Sequence, residues 1–179
     1  MSDLARDFGS FEELAMPLFA KLYNFAYWLM QDRAAAEDLV QETYMKALRG
    51  FSSFQQGTNF RAWMYKILRN TFLTTKAGLK AGSFVSFDSD DDKLSEPTAA
   101  GTPESVLLAR VEVETIQSAL EKLPVKFREI ILLCDLEEMS YQEIADTLSI
   151  PPGTVMSRLS RARKALRALL TAKLQVESQ

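Results

Sequence analysis

The spacing of the apolar side chains limits the possible folds of this chain more than any other feature of its sequence. In both halves these side chains recur at steps of three and four residues, which places them on one face of an α-helix. Strict alternation of apolar and polar residues, the sign of a half-buried strand, does not extend over a useful length anywhere. The sequence therefore predicts an all-α fold.

The first half of the sequence predicts three helices. The first carries apolar residues in helical register from Phe11 to Phe25, and the second follows Asp32, whose side chain can cap it. A turn-like stretch then leads to a third helix, which begins near Asn59 and ends at Gly78. In the second half, the same periodicity predicts helices at 107–121, 125–135, 140–147 and 153–173.

The composition excludes several classes of site. The 179 residues are 47% hydrophobic, which is enough for packed cores. One cysteine, Cys134, and no histidine exclude an internal disulfide and the usual zinc ligand sets, so we expect no metal and no cofactor. Cys134 lies among apolar residues and is interpreted as a small buried hydrophobe. A charged N-terminus and the lack of any run of ~18 apolar residues predict a soluble, cytoplasmic protein without membrane insertion.

Charge is distributed unevenly along the chain, although the net charge is only −3. Residues 43–87 and 153–174 contain Lys and Arg but no acid, whereas the segment at 83–106 carries six acids and a single Lys. That segment is also rich in Ser, Thr, Gly and Pro, so it cannot bury enough apolar surface to offset its ordering entropy. We therefore predict a domain at 1–82, a flexible acidic linker at 83–106, a second domain at 107–174 and a tail at 175–179.

The most specific local pattern lies at residues 140–155. Ser140 and Glu143 have the spacing of a capping box, and a tight turn then leads into a second helix, which is typical of a helix-turn-helix. The outward face predicted for the second helix carries hydroxyls and cations that can read base edges and bind phosphate in a major groove. These residues are Thr154, Ser157, Arg158, Arg161 and Lys164. A solvated basic face on a helical hairpin is the alternative interpretation.

A second pattern, from residue 52 to residue 70, combines amides, cations and aromatic rings. This mixture suits single-stranded DNA, because flipped bases can stack on rings and be read by amides while Lys and Arg hold phosphate. The candidates are Gln55, Gln56, Thr58, Asn59, Phe60, Arg61, Trp63, Tyr65, Lys66, Arg69 and Asn70. Phe60 and Trp63 fit a core position equally well, since an aromatic at helical spacing usually packs inward.

A third candidate surface lies on the predicted helix at 34–49. Asp38, Gln41, Glu42 and Met45 share one face of it, offset from the apolar stripe. An acidic and polar patch at this place can bind a partner. A solvated helix face is the alternative interpretation.

These motifs together resemble bacterial sigma factors. Residues 36–43 are similar to the polymerase-binding helix of sigma region 2, and residues 60–71 are similar to its promoter-melting helix. Leu123-Pro124, Phe127-Arg128, and the segments 141–145 and 153–163 are similar to region 4. The order of the motifs and the short linker are typical of the extracytoplasmic-function (ECF) group of the sigma-70 family.

The resemblance implies two small helical domains, sigma regions 2 and 4, that bind core RNA polymerase and direct promoter-specific initiation, in a stress or envelope response. It assigns Asp38, Gln41, Glu42 and Met45 to core binding, the 55–70 candidates to the minus-10 element, and the 154–164 candidates to the minus-35 element. It adds Arg163 to the last set. It implies promoter DNA and an anti-sigma factor as further partners, with no small-molecule ligand. Met156 replaces a residue that is often basic in the group, so we expect no base contact there.

Two other classes of function explain the sequence less completely. A stand-alone helix-turn-helix regulator would explain the second half, but its first half would not need an acid-free helix rich in aromatic and basic residues. An enzyme finds little support, because the sequence offers no histidine, no glycine-rich phosphate loop and no nucleophile next to a base. No catalytic residue is therefore expected.

Overall fold

The computed structural model describes residues 10–80 and 113–177, and of residues 80, 113 and 174–177 only the backbone. Within these ranges the chain is helical and contains no strand, which confirms the predicted all-α fold. The elements of the first range are α1 at 10–15, a 3-10 turn at Met16–Leu18, α2 at Phe19–Met30, α3 at Arg33–Gly50, a 3-10 turn at Phe51–Ser53 and α4 at Phe60–Lys80.

The second range begins with α5 at Val113–Lys122, so the part of the predicted helix before residue 113 lies outside the described residues. The elements that follow are α6 at Val125–Ile131, a π-helical turn at Leu132–Leu136, α7 at Tyr141–Leu148 and α8 at Pro152–Glu177. The last of these enters the predicted tail. The sequence thus predicted each of these helices, and the extra turn at Leu132–Leu136 continues α6 to one residue beyond its predicted end at 135.

The prediction of one continuous first helix is wrong. A 3-10 turn at Met16–Leu18 separates α1 from α2. Pro17 explains the break, because it has no backbone N–H to donate and its ring disfavours the preceding helical turn. The apolar register is interrupted as well, since Leu14 is exposed while Phe11 and Leu22 are buried.

Side-chain caps start α3 and α7 at the residues that the sequence indicated. Asp32 Oδ1 accepts the N–H of Ala35 at 2.8 Å. At α7, Ser140 Oγ accepts the N–H of Glu143 at 3.2 Å, and Glu143 Oε2 accepts the N–H of Ser140 at 2.7 Å. The predicted capping box is therefore confirmed.

The described helices form two compact units. The first contains α1 to α4 together with α7, and the second contains α5, α6 and α8. α7, which the sequence assigns to the second domain at 107–174, packs against α4 and falls in the first unit. The predicted domain bounds stay a prediction. The predicted linker at 83–106 lies outside the described residues.

α4 supplies much of the core of the first unit. Its fully buried side chains are Met64, Tyr65, Leu68 and Phe72, and the helix packs against α2 and α3. Phe25 of α2 meets the Tyr65 ring edge-on, with 5.2 Å between the ring centroids. Such aromatic pairs contribute about 0.5–1.5 kcal/mol beyond the area that they bury. The packing therefore fixes which face of α4 points outward.

The second unit contains a buried arginine. The Arg128 guanidinium donates hydrogen bonds to the backbone oxygens of Leu120 at 2.8 Å, Glu121 at 2.7 Å and Leu123 at 2.8 Å. These carbonyls lie at the C-terminal end of α5, where the last helical turn leaves oxygens without intrahelical partners. Burial lowers the pKa of Arg128, and the nearby Glu121 opposes this shift. Arg128 thus caps α5 from α6.

We predict that Arg128→Lys lowers the free energy of unfolding by about 2–3 kcal/mol, because an ammonium cannot reproduce a planar fork of three charge-assisted hydrogen bonds. Urea unfolding followed by circular dichroism measures the change. Arg167→Lys, at an exposed position of α8, is the matched control and should shift stability by less than about 0.5 kcal/mol. Equal effects of the two substitutions would contradict the capping role.

Candidate nucleic-acid interface

The acidic face of α3 is exposed as the sequence predicted. Asp38, Gln41, Glu42 and Met45 all point outward, and Met45 retains 53% of its accessible area. The opposite face is buried and holds Ala36, Leu39, Val40, Thr43 and Ala47. Glu42 pairs with Lys46 at 2.8 Å on the same helix, an exposed pair that contributes less than about 1 kcal/mol.

Apolar side chains beside this face were missed by the sequence analysis. Phe19 and Tyr23 of α2, with Glu37, Val40 and Gln41 of α3, line a shallow groove. Phe19 is exposed although it is large and apolar. The signal was present, because residues 19 and 23 are four apart and lie off the buried stripe of Leu22, Phe25 and Leu29. The α3 face therefore continues into a partly apolar surface on α2.

The amides before α4 lie at the surface. Gln55, Gln56, Thr58 and Asn59 are exposed, and Gly57 adopts a left-handed φ of 88° that a side chain would strain. Thr58 Oγ1 donates to the Gln55 oxygen at 2.6 Å, which closes the turn. Asn59 Oδ1 accepts the N–H of Ala62 at 3.0 Å and so caps α4. The predicted polar loop is therefore an ordered turn.

Burial corrects part of the predicted aromatic set. Tyr65 is completely buried and Phe60 is 9% exposed, so both belong to the core and neither presents a face for base stacking. Trp63 is half-buried, with its ring centroid 5.0 Å from that of Phe54 and 5.6 Å from that of Phe60. Phe60 also meets Phe11 and Phe51. Trp63 alone among the three predicted rings keeps part of its surface outward.

The polar residues of α4 divide into two groups. Lys66 and Asn70 are exposed and four residues apart, so they share a face. Arg61 and Arg69 are half-buried and contact α7. Arg61 Nη2 lies 3.8 Å from Oε1 of Glu143, and Arg69 Nη1 donates to the Leu148 oxygen at 3.2 Å. Two of the predicted DNA contacts thus engage another helix of the same unit.

Glu143 is the acidic partner in this contact. Its Oε1 also accepts a hydrogen bond from Asn59 Nδ2. The hydrogen bond from the Ser140 backbone lowers the pKa of Glu143, assisted by the Ser140 hydroxyl, Arg61 and Asn59 against a smaller opposing effect of burial. The carboxylate therefore stays charged at neutral pH.

The predicted recognition helix, α8, presents most of its polar candidates. Ser157, Arg161, Arg163 and Lys164 are exposed, and Thr154 is half-buried. Met156 is exposed as well, on the same helix.

Two of the arginines in this set have carboxylate neighbours within the second unit. Arg158 Nη1 lies 3.9 Å from Oε1 of the buried Glu129. Arg163 pairs with Asp135 and donates to Cys134 Sγ at 3.8 Å. Cys134 is half-buried, and its thiol pKa is raised chiefly by burial. Arg161 and Lys164, like Ser157, are exposed candidates for base contact.

In the described part of the chain, no helix is long and apolar enough to cross a membrane. No group of three or more Cys, Asp or Glu side chains within residues 10–80 and 113–177 is placed to hold a metal ion.

Comparison with known families places these surfaces in a functional context. Residues 16–80 match the model described as Sigma-70 region 2, and residues 114–166 match the model described as Sigma-70, region 4. The first match covers α2 to α4, and the second covers α5 to most of α8.

Individual relatives agree with the family models. The ECF RNA polymerase sigma factor SigE of Mycolicibacterium smegmatis is 35% identical over 161 residues, which are 90% of this chain and 62% of that protein. The ECF RNA polymerase sigma factor EcfG of Rhodopseudomonas palustris is 36% identical over 149 residues, 83% of this chain and 78% of that protein.

A solved structure gives the same result. The sigma factor RpoE from Bartonella quintana, determined in complex with the anti-sigma factor NepR, aligns with a TM-score of 0.71 at 31% identity. The alignment covers 90% of this chain and 97% of that one. The chain therefore belongs to the sigma-70 family of transcription initiation factors, and within that family to the ECF group. Members of this group direct RNA polymerase to specific promoters.

The shifted pKa of Glu143 yields a prediction about acid stability. Because its pKa is lowered on folding, Glu143 contributes stability that is present above its ordinary value of 4.5 and is lost as the pH falls through the folded value. The wild type should therefore be more stable than Glu143→Gln at pH 7, and the difference should shrink below pH 4.5. Urea midpoints at several pH values test this, and a difference that is constant from pH 7 to pH 3 would contradict it.

Proposed function

We propose that the exposed face of α3 binds core RNA polymerase through Asp38, Gln41, Glu42 and Met45. The presence of region 2 and region 4 matches in one chain is the observation that carries the proposal. The carboxylates and the amide of this face can pair with cations and hydrogen-bond donors of a partner. The adjoining groove, which includes residues of α2, adds apolar surface that the partner can bury. The protein acts as a transcription regulator in the cytoplasm, without catalysis of its own.

The minus-10 strand is assigned to the turn before α4 and to the outward side of that helix. Gln55, Gln56, Thr58 and Asn59 supply hydroxyl and amide groups that read bases, and Trp63 supplies a ring edge. The cations and amide that follow hold the backbone of the strand; they are Arg61, Lys66, Arg69 and Asn70. Phe60 and Tyr65 are buried and form no part of this surface.

The minus-35 duplex is assigned to the N-terminal half of α8. Thr154, Ser157 and Arg161 contact the base edges in the major groove. Arg158, Arg163 and Lys164 lie beside them on the same helix. The N-terminal residues of a recognition helix are those that enter the major groove, which agrees with this placement. The stand-alone regulator remains the less favoured reading, because it would leave the region 2 match at residues 16–80 without a role.

An anti-sigma factor is proposed as the regulatory partner. The related sigma factor RpoE was solved with the anti-sigma factor NepR. The exposed apolar side chains of Met45 on the α3 face and of Phe19 in the adjoining groove are suited to such a partner as well as to polymerase. A stress or envelope response is the proposed setting. Run-off transcription with purified core polymerase on a pool of genomic promoter fragments tests the function as a whole.

We expect Asp38→Arg combined with Glu42→Arg to abolish promoter-directed transcription, because it places two positive charges on the proposed polymerase interface. The fold should be retained, since both positions are exposed and the Glu42–Lys46 pair contributes little. Run-off transcription and core pull-down give the two readouts. Glu12→Arg with Glu114→Arg makes the same charge change at exposed positions of α1 and α5 and should leave both nearly unchanged. Unaltered affinity of the Asp38→Arg, Glu42→Arg variant for core polymerase would contradict the assignment of the α3 face to polymerase binding.

Arg158 and Arg161 should behave differently when each is replaced by alanine. Loss of an arginine that contacts guanine costs about 1–3 kcal/mol of binding and relaxes sequence preference. Arg161→Ala should show this loss without a change in stability, because the residue is exposed. Arg158→Ala should also lower the unfolding midpoint, because it removes a cation beside buried Glu129. Holoenzyme binding to minus-35 duplexes, measured alongside urea unfolding, checks both. Equal promoter binding by wild type and Arg161→Ala would refute the base contact.

A further inference from the structure

A large apolar side chain is exposed on the helix proposed to read the minus-35 duplex. Met156 of α8 retains 58% of its accessible area. The core face of this helix carries Val155, Leu159 and Ala162, which are at most 2% exposed. Because successive residues of an α-helix are about 100° apart, Met156 points away from that core. Packing within the second unit therefore does not explain why an apolar residue stands at this position.

The neighbours of Met156 on the helix surface are small and uncharged. Gly153 lies three residues before it and Ser160 lies four residues after it, and both are exposed. The space that a β-carbon of Gly153 would occupy is open. The Met156 side chain therefore projects beyond its neighbours along this line of the helix.

The line of residues 153, 156, 160 and 163 differs in charge from the line beside it. Its one cation, Arg163, pairs with Asp135. The adjacent line, at residues 157, 161 and 164, carries two exposed cations. Phosphate is bound by cations and hydrogen-bond donors, and a thioether is neither. Met156 thus offers DNA an apolar surface in place of a charge.

The major groove contains one apolar group that such a surface can recognise, the 5-methyl group of thymine. The other three bases present hydrogen-bonding groups at the same edge. A methionine side chain has three rotatable bonds and a polarisable sulfur, so it can adapt its end to a methyl group. The N-terminal part of a recognition helix enters this groove, and Met156 lies in the second turn of α8, which begins at Pro152.

We infer that Met156 is a specificity-determining residue whose side chain contacts the 5-methyl group of one thymine in the minus-35 duplex. The inference rests on the proposed role of α8 in reading that duplex. The sequence alone predicts no base contact at residue 156, because a cation is missing there. That prediction considers hydrogen bonds and leaves out apolar contacts. An apolar contact at this position selects thymine against the other three bases.

The test removes single methyl groups from the DNA. Holoenzyme is assembled from core polymerase and the full-length chain, and the probe is a promoter duplex recovered by the run-off assay. Each thymine of its minus-35 region is replaced in turn by deoxyuridine, which pairs in the same way and lacks only the methyl group. At one position the replacement should weaken binding by wild type about fourfold, the factor expected for one buried methyl-sized group. The same replacement should not weaken binding by Met156→Ala.

Leu136→Ala is the matched control. It shortens another exposed apolar side chain of the second unit, which lies outside α8 and is 56% exposed. This variant should lose as much affinity on the deoxyuridine duplex as wild type does. Urea unfolding should show that both variants keep the wild-type stability, because neither side chain is buried. A minus-35 region without thymine, no loss at any position in wild type, or an equal loss in Met156→Ala would overturn the thymine contact.

Met156→Arg gives an independent readout, because an arginine can donate two hydrogen bonds to guanine O6 and N7. Minus-35 sequences are selected from a randomised duplex pool by each holoenzyme. Wild type should enrich thymine at the position identified with deoxyuridine, and Met156→Arg should lose this enrichment. Equal enrichment of that thymine by both proteins would contradict the inference.

Arg161→Ala separates failure of this inference from failure of the proposed function. Weaker promoter binding by Arg161→Ala, without any methyl effect that depends on Met156, would retain the role of α8 in DNA binding and reject the thymine contact. Wild-type binding by Arg161→Ala, again without such a methyl effect, would reject both. A loss of binding in Met156→Ala that is equal on the thymine and deoxyuridine duplexes would indicate a contact with polymerase and would also overturn the inference.

Discussion

Burial of one face of α4 is the constraint on which the first unit depends. Met64, Tyr65, Leu68 and Phe72 are completely buried, and they lock the rotation of the helix against α2 and α3. Because an α-helix has 3.6 residues per turn, fixing this stripe also fixes where Arg61, Lys66 and Asn70 point. The proposed DNA surface is therefore a consequence of hydrophobic packing and not of any attraction among its own polar groups.

The aromatic cluster at the start of α4 extends this control to the preceding turn. Phe11, Phe51, Phe54 and Phe60 meet at centroid separations of 5.3–6.1 Å. The turn that carries the exposed amides is thus anchored at both ends, by Phe54 on one side and by the Asn59 cap on the other. A rigid loop presents its hydrogen-bonding groups with a smaller loss of entropy on binding than a mobile loop does.

Many of the cations that suggest nucleic-acid binding have partners within the protein. Arg61 and Arg69 engage α7, Arg158 lies near Glu129, and Arg163 pairs with Asp135. Contacts with carboxylates neutralise the charge of these side chains locally. They also show that a basic side chain on an exposed helix is not automatically available to DNA. Availability depends on which acids the fold brings near.

The sequence by itself determined the helices apart from the break at Met16–Leu18, the caps at Asp32 and Ser140, and the acidic face of α3. These features depend on residues a few positions apart, so periodicity and capping chemistry are sufficient to predict them. The sequence also contains the region 2 and region 4 motifs. Only the tertiary structure decided that Phe60 and Tyr65 are core while Trp63 is half-exposed, and that α7 groups with α4. An aromatic residue at helical spacing shows the same sequence pattern whether it is buried or exposed. A lysine or arginine side chain is long enough to reach any acid that packing places nearby. Those outcomes depend on contacts between residues as far apart as Arg69 and Leu148, which no local pattern encodes.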